Sequence, residues 1–585
     1  MGWAFFINPT IKDVAAGVAI LLFGMIMLEE GTRVFVQGPL QQLLSNATDK
    51  LYKSIGLGFS VTALLQSSSL ISVITISFLS AGLIGLKAGI GIIFGANIGT
   101  TATAWLVTIF GLKIKVSAFA LPMLAFGIIF VFQKSTKLKG IGQMLAGLGF
   151  FFLGIHYMKQ GFEIYQENIN LAEYAMPGFW GLIVFTLIGV LITVILQSSS
   201  AAMALILTTL AAGQITYENS LALAIGANVG TTITAVLGSL SANLSGKKLA
   251  GAHLIFNLVT GLVALFSISL LGKSVNFISD LLSIAQDNYT IKLSIFHTIF
   301  NLLGVLIMIP FINKLVNFLN KLFVEKEGED LIEYPKYLNE SILAYPQTAI
   351  RALLNESKRM LEKATFEIIS HGLNLHRSDI QGDEKIKKIV KRSKAPIDID
   401  IDELYYRKVK TIYSKIVEYA TLAQSQFTLS PDAIESFTRL KIANRRIVEA
   451  IKIMGNVRKN INLYMQSDNE FLKKEYNLLR QKVTKVLREI YKIKQSKDPD
   501  QFIDHLDSLK EKSKKSDVLV NGTLDKLIRE KKINSAMATS LANDSEAIAQ
   551  VSKNLIVATE LLYIGSDTLV ETVEEIKKKK KKKKK

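Results

Sequence analysis

The chain contains no cysteine. Disulfide frameworks, thiolate-bound metals and thiol catalysis are therefore excluded, although this absence says little about compartment. It also lacks a Gly-rich phosphate loop, an HExxH pair and a G-x-S-x-G elbow, so no common enzyme signature is present. The opening Met1-Gly2-Trp3-Ala4-Phe5-Phe6 has no basic leader and no evident cleavage site, and the sequence predicts no removable signal peptide. The formal charge is +19, but the tail Lys577 to Lys585 supplies nine of those charges and leaves +10 for the rest. That remainder is scattered, which argues against a nucleic-acid partner. The tail is of low complexity, suited to anionic inner-leaflet lipid.

Charge is also scarce in residues 1–320, where it is confined to short breaks. Apolar segments fall near 14–28, 55–86, 88–112, 116–133, 141–158, 178–212, 219–240, 249–272 and 293–312. A simple membrane span needs about 20 apolar residues. The stretches around 55–112 and 178–240 are longer and are broken by Ser, Thr, Asn and Gly, which fits interrupted or re-entrant helices. Beyond a linker at 321–344, residues 345–576 carry dense charge with apolar residues at helical spacing, as in 349–369, 404–426, 434–465 and 547–569. The sequence thus predicts an all-α protein: a polytopic membrane domain followed by a helical bundle. Arg445-Arg446-Ile447-Val448-Glu449 and Arg458-Lys459-Asn460 read as exposed faces between buried stripes.

The polar tetrapeptide Gln66-Ser67-Ser68-Ser69 recurs as Gln197-Ser198-Ser199-Ser200, a shift of 131 residues. The same shift carries Gly95-Ala96-Asn97-Ile98-Gly99-Thr100-Thr101 onto Gly226-Ala227-Asn228-Val229-Gly230-Thr231-Thr232, Thr62 onto Thr193 and Thr103 onto Thr234. Phe23 to Gly31 resembles Leu153 to Gly161 with a shift of 130. The first 320 residues are therefore a duplication, one unit over about 14–133 and the other over about 141–272, with an extra helix at 293–312. Lys134, Lys137 and Lys139 place the joint between units in the cytoplasm, and Glu163, Glu167 and Glu173 place the next loop outside. Extended to the first helix, with Arg33, Lys50 and Lys53 inside, this makes the repeats inverted and delivers the second domain to the cytoplasm. One pair resists, because Lys113/Lys115 and Lys247/Lys248 occupy similar places in opposite units.

Inverted repeats with broken helices are a recurrent plan of secondary transporters, whose site lies where the units meet. Half-helix N-termini offer N–H groups to an anion, and hydroxyl and amide oxygens suit a hard cation such as sodium. The motifs contain no Lys or Arg, so an anion there needs helix dipoles and co-bound cations, and each ligand favours the other. An isolated membrane serine more often bonds its own helix. The matched pair points to function, because unpaired polar clusters in hydrocarbon are costly. The candidate oxyanion and sodium ligands are Gln66, Ser67, Ser68, Ser69, Asn97, Thr100, Thr101 and their counterparts Gln197, Ser198, Ser199, Ser200, Asn228, Thr231, Thr232. Thr103 and Thr234 fit lining and packing equally. Gly95, Gly99, Gly226 and Gly230 suit close backbone approach or positive φ beside the polar loops. His253-x-x-Phe256-Asn257 and His297-x-x-Phe300-Asn301 form an echo read as interhelical hydrogen bonding, and Glu29 and Glu30 read as interfacial at a helix end.

At these residues the chain resembles the sodium/phosphate cotransporter family that includes the animal type II transporters and their bacterial relatives. The resemblance covers about residues 10–315. It implies a QSSS segment in each inverted repeat lining the sodium and phosphate sites, sodium as the co-transported ion, no organic cofactor and a multi-pass protein of the inner or plasma membrane. Bacterial relatives often carry a cytoplasmic domain similar to PhoU, a helical phosphate-signalling protein, and residues 345–576 fit that pattern as a regulatory domain with its own partner. A homo-oligomer is compatible with this plan. PhoU proteins bind metals through acidic helices, but Asp398, Asp400 and Asp402, or Asp544 and Glu546, lack helical-face spacing and read as solvated surface. The alternatives are a phosphate exporter, another oxyanion carrier of the same architecture, or a membrane-anchored phosphate sensor that no longer transports.

Overall fold

The computed structural model describes residues 9–36, 50–112, 116–166, 174–324, 332–426, 429–496 and 498–564, and their regular structure is helical throughout. Arg33's side chain, Lys113, Lys115, Glu167, Glu173 and the lysine tail lie outside the described residues. The chain divides into two compact units, Met1–Glu325 and Lys326–Lys585. Among the described residues, seven helices, all in the first unit, are long and apolar enough to cross a membrane.

The first unit begins with α1 (Pro9–Val36), then α2 (Leu51–Leu65), α3 (Ser68–Ser80), α4 (Leu86–Gly99) and α5 (Thr101–Leu106), which runs into a π-turn at Val107–Gly111. Next come α6 (Val116–Val131) and α7 (Thr136–Gln166). The second repeat supplies α8 (Gly178–Leu196), α9 (Ser199–Ala211), α10 (Tyr217–Gly230) and α11 (Thr232–Leu240). It is followed by α12 (Leu244–Phe266), α13 (Ile268–Leu281), α14 (Tyr289–Met308) and, after a 3-10 turn containing Pro310, α15 (Ile312–Leu322). Glu29 and Glu30 were expected at a helix end, but α1 continues to Val36, and Gln143 Nε2 donates to Glu30 Oε2 at 3.2 Å. The apolar pattern also gave no helix for α13, whose apolar residues occupy one face only.

The repeat-equivalent helices α1 and α7 pack along each other through glycines spaced by seven. A Cβ on Gly17 would stand 2.6 Å from Met158 N and 2.9 Å from Gly154 O; one on Gly24 would stand 2.5 Å from Phe151 N and 2.7 Å from Gly147 O. Higher numbers on α1 meet lower numbers on α7, so the pair is antiparallel. The repeat relation exchanges its two contacts, Gly17 with Gly154 and Gly24 with Gly147. An antiparallel, self-exchanging contact between equivalent helices is the geometry of inverted repeats.

Inside each repeat, glycine allows a second kind of contact. A Cβ on Gly95 would stand 1.9 Å from Ile55 O, and one on Gly58 2.1 Å from Ile92 O. The counterparts Gly226 and Gly189 would meet Thr186 O at 2.0 Å and Leu223 O at 2.3 Å. Along the helices, Gly91 faces Leu51 and Ser54, Gly95 faces Ile55 and Phe59, and Gly99 faces Phe59 and Thr62, while Gly226 faces Thr186 and Val190 and Gly230 faces Val190 and Thr193; the numbers rise together, so α2 and α4 run parallel, as do α8 and α10. The chain between parallel neighbours must reverse. α3 and α9 are the return limbs, closed by positive-φ turns at Gly82 and Gly213, a shift of 131 apart. With 15 and 13 residues, α2 and α3 are about 22 and 20 Å long, against a hydrocarbon core of about 30 Å. They form a re-entrant hairpin whose tip is the polar tetrapeptide.

In the second unit the main helices are α16 (Pro346–Arg359), α17 (Phe366–Gly372), α18 (Thr411–Gln426), α19 (Pro431–Met465), α20 (Glu470–Gln495), α21 (Ile503–Lys515) and α22 (Ser535–Tyr563). α19, α20 and α22 pack on one another. Tyr464 bonds Ser540 while Arg439 bonds the Leu561 carbonyl, so α19 and α22 are antiparallel. Arg480 is fully buried without a carboxylate. Its guanidinium donates to the carbonyls of Leu373 and Ser393 at 2.8 Å and to Asn477 Oδ1 at 2.9 Å, pinning two helix ends to α20. Burial pushes it down to about 10. Arg458 departs from its expected exposed role and donates to the carbonyls of Ile397 and Ile399. Asp400 caps a helix by accepting from the Asp402 and Glu403 amides, and Asp544, read as solvated, is buried and accepts from Tyr476 at 2.6 Å.

The parallel contacts predict a contrast among glycines. Gly95→Ala and Gly226→Ala should each destabilise the membrane unit by about 1–3 kcal/mol through backbone overlap. Gly56→Ala, where nothing lies within 4 Å of the added carbon, should be neutral or slightly stabilising. Thermal unfolding of the detergent-purified variants measures this.

Candidate functional site

The site is built from the two hairpin tips and the helices beside them. Each tip is made the same way. Gln66 closes α2 in the left-handed conformation at φ 54°, and Gln197 closes α8 at φ 52°. The next residues, Ser67 and Ser198, are extended N-caps whose Oγ atoms accept from Leu70 N and Ala201 N, both at 3.2 Å. Close approach or positive φ was expected of the nearby glycines. Positive φ falls instead on the glutamines, while Gly95, Gly99, Gly226 and Gly230 serve close approach only. The capping serines accept through oxygen, so their hydroxyl protons remain able to donate. The first amides of α3 and α9 point out of the helix ends without intrahelical acceptors. Each tip is therefore a small donor cup with a positive helix dipole behind it.

The segments Gly95 to Thr101 and Gly226 to Thr232 are not the loops expected. They stay helical and are only kinked, through Thr103 N to Thr100 O at 3.2 Å and Thr234 N to Thr231 O at 3.3 Å. Side chains bonding back to the helix sustain it. Asn97 Nδ2 donates to Ile93 O, Thr100 to Asn97 O and Thr101 to Ile98 O; Thr231 donates to Ala227 O and Thr232 to Val229 O. A threonine that spends its proton on its own helix presents only lone pairs outward. These hydroxyls are acceptors, suited to a cation, where the capping serines are donors, suited to an anion. Parallel packing sets the two kinds side by side: a Cβ on Gly99 would touch Thr62 Cβ at 2.6 Å, one turn before Gln66, and one on Gly230 would touch Thr193 Cβ at 2.8 Å.

The two repeats meet crosswise. α3 packs on α11, and α9 packs on α5. At the second contact the Thr103 hydroxyl donates to Gln66 Oε1 at 2.7 Å and lies 3.1 Å from Ser200 Oγ, joining the two tetrapeptides in one hydrogen-bonded chain. Thr103 and Ser200 are buried, and Gln66 is half-buried. The counterpart Thr234 bonds Thr231 O instead, so the link is not duplicated. Ser68 is buried, Ser69, Ser198 and Ser199 are half-buried, and Gln197 is exposed.

The asparagines also differ. Asn228 donates to Asn257 Oδ1 at 3.2 Å and to Asn301 Oδ1 at 3.0 Å, a wholly buried amide cluster joining α10, α12 and α14. Asn97 makes only the local bond among those described. Both ring nitrogens of His253 and Nδ1 of His297 lack a hydrogen-bond partner, so the interhelical bonding predicted for the histidine–asparagine pairs is seen at the amides alone. Thr62 and Thr193 were noted only as part of the repeat. Both hydroxyls are buried and unpartnered at equivalent positions beside the tips. Such a group costs about 1–3 kcal/mol when nothing satisfies it, so a symmetric pair marks a place meant for a ligand or water. A separate cavity of about 760 Å³ lies at the α9–α10 turn, lined by Met176, Tyr217, Glu218 and Tyr289 among others; its lining holds a carboxylate and no cation, which does not suit an anion.

Residues 20–160 and 182–284 match the Na+/Pi-cotransporter family model. The match takes in both repeats of the membrane unit. YjbB of Escherichia coli K12, named for a proposed role in inorganic phosphate export, is 29% identical over 369 residues, 62% of this chain and 65% of its own. YjbB of Salmonella typhimurium LT2 is 29% identical over 355 residues, 60% and 63% of the two chains. YqeW of Bacillus subtilis 168, an uncharacterized protein, is 28% identical over 301 residues, half of this chain and 93% of its own. The chain thus spans just under two thirds of the length of the YjbB relatives. No solved structure gives a significant match. Both tetrapeptides and both kinked segments fall inside the matched residues of this cotransporter family.

Thr103→Val should leave Gln66 Oε1 and Ser200 Oγ without their shared partner and destabilise the unit by about 1–3 kcal/mol. Thr234→Val, which removes only a bond within one helix, should cost less. The melting temperatures of the two purified variants, compared at one pH, measure the difference.

Proposed function

We propose that the protein carries inorganic phosphate across the cell membrane together with sodium, by alternating access. The single observation that supports this most is the Gln66–Thr103–Ser200 chain. It joins the tip of the first repeat to the start of α9 in the second, which is the kind of contact a site between inverted repeats would need. Phosphate sits at the α3 and α9 N-termini on Ser67, Ser68, Ser69, Ser198, Ser199 and Ser200. Sodium sits on the oxygens of Gln66, Thr100, Thr101, Gln197, Thr231 and Thr232, with Asn97 and Asn228 beside them. Without a fixed Lys or Arg, sodium supplies the positive charge that phosphate needs. Lys134, Lys137 and Lys139 set the α6–α7 joint in the cytoplasm of an inner or plasma membrane. The helical second unit acts there as a regulator of the PhoU kind.

The names of the YjbB relatives favour a second reading of direction, in which net flux runs outward. Both readings share the site. Labelled phosphate flux in proteoliposomes, with sodium gradients imposed in each direction, should show sodium-dependent movement; none in either direction would sink the proposal. Ser68→Ala and Ser199→Ala should each reduce flux to background while the protein stays folded. Undiminished sodium-dependent flux in both variants would remove these serines from the site.

A further inference from the structure

The second unit contains a cleft of about 560 Å³ between α20, the short helix Ile386–Arg392 and the turn that follows α21. Four lysines line it: Lys387 from the short helix, and Lys474, Lys482 and Lys485 from α20. On α20 the spacing 474, 482, 485 puts all three on one face. Glu475 is the one acidic residue in the lining, so four lysines against one glutamate leave +3.

Elsewhere in this unit cationic side chains are commonly matched. Arg359 pairs with Glu356, Lys408 with Glu367, Lys473 with Glu470 and Lys510 with Glu560. Among the described residues, no ion pair within 4 Å involves Lys387, Lys474, Lys482 or Lys485. Lys482 is half-buried; its Nζ donates to Ser516 O at 2.6 Å, and burial holds it below the ordinary lysine range. The nearby Asp517 accepts from Leu519 N and the Ser545 hydroxyl and, with Glu475, favours the Lys482 ammonium, which still leaves two more lysines than carboxylates at the cleft. Like charges on one helix face repel one another, and here two carboxylates offset four lysines only in part. An anionic ligand would.

The cleft is larger than an inorganic anion needs and falls within the 300–1,000 Å³ typical of sites for small organic ligands. Its lining also includes the apolar Ile386, Leu478, Leu479 and Val518 and amide and hydroxyl groups. We propose that this cleft binds a phosphorylated small molecule of nucleotide size, its phosphates on the lysines and its organic body on the apolar part of the lining. The inference concerns the second unit alone and stands whether or not the membrane unit couples phosphate to sodium.

The test is calorimetric titration of the full chain, in neutral-lipid nanodiscs, with ATP as the probe. The lysine tail is present in every sample, so binding to it is common to all. Wild-type protein should bind ATP with a saturable isotherm that weakens with salt, and adenosine should not bind. K474E/K485E, whose two sites are exposed and make no ion pair, should bind ATP about tenfold or more weakly, at an unchanged melting temperature. K459E/K553E, which reverses two exposed lysines outside the cleft, should leave the isotherm unchanged. Equal ATP binding by wild type and K474E/K485E would overturn the proposal, as would displacement of ATP by an equal concentration of inorganic phosphate, or no ATP binding at all.

Discussion

The membrane unit depends on two parallel, backbone-to-backbone helix contacts, α2 on α4 and α8 on α10. Lipid gives helices no hydrophobic reason to associate, so close packing has to supply it. Glycine at 58 and 95, and again at 189 and 226, removes the carbon that would keep these helices apart. The parallel direction has a further consequence. It forces the chain to double back between the paired helices, and it fixes the reversal point at the depth of the kink in the neighbouring helix. The donor tip and the acceptor kink are adjacent because glycine sets their level, not because anything in the tip attracts the kink.

A perfect pseudo-two-fold would make both halves of the site alike, and α14 prevents that. It bonds the first repeat through Thr108 to Ser294 at 2.9 Å and Trp105 to Thr298 at 3.0 Å, and the second through Asn228 to Asn301. No third repeat provides a counterpart. Asn228 is held on two helices while Asn97 bonds within its own, and Thr103 reaches across while Thr234 does not. The duplicated chemistry is therefore embedded in unequal surroundings, with the second repeat anchored more firmly at its asparagine.

Much of this was legible beforehand. The shift of 131 identified the two tetrapeptides and the polar segments that follow them as counterparts, because polar residues in apolar sequence stand out and repeat in register, and the loop charges gave the inverted reading. What escaped was what depends on backbone conformation. A left-handed glutamine looks like any glutamine, and Thr100 or Thr231 reads equally as loop or as helix until its hydroxyl is seen bonding back. The glycines at 17, 24, 31 and at 140, 147, 154, 161 recur every seven residues in the sequence, but a period of small residues does not name its partner, and the α1–α7 interface went unread until the structure paired them. α13 went unseen because its apolar residues cover one face, and Arg458 and Asp544 were read as surface because charge alone does not tell which groups find buried partners.

The proposed site also has an electrostatic logic that composition alone could not supply. A lysine among the serines would hold phosphate without sodium, and release would then have to overcome a fixed charge in low dielectric. Neutral donors and two helix ends hold the anion more weakly, so occupancy depends on the cation beside it. The back-bonded threonines make that dependence directional: with their protons committed, they can serve the cation but not the anion. Capping serines and kink threonines are chemically similar hydroxyls, and their backbone positions alone divide them into two kinds of ligand. A carrier built this way needs both repeats at once, which is what a hydroxyl bridging Gln66 and Ser200 provides.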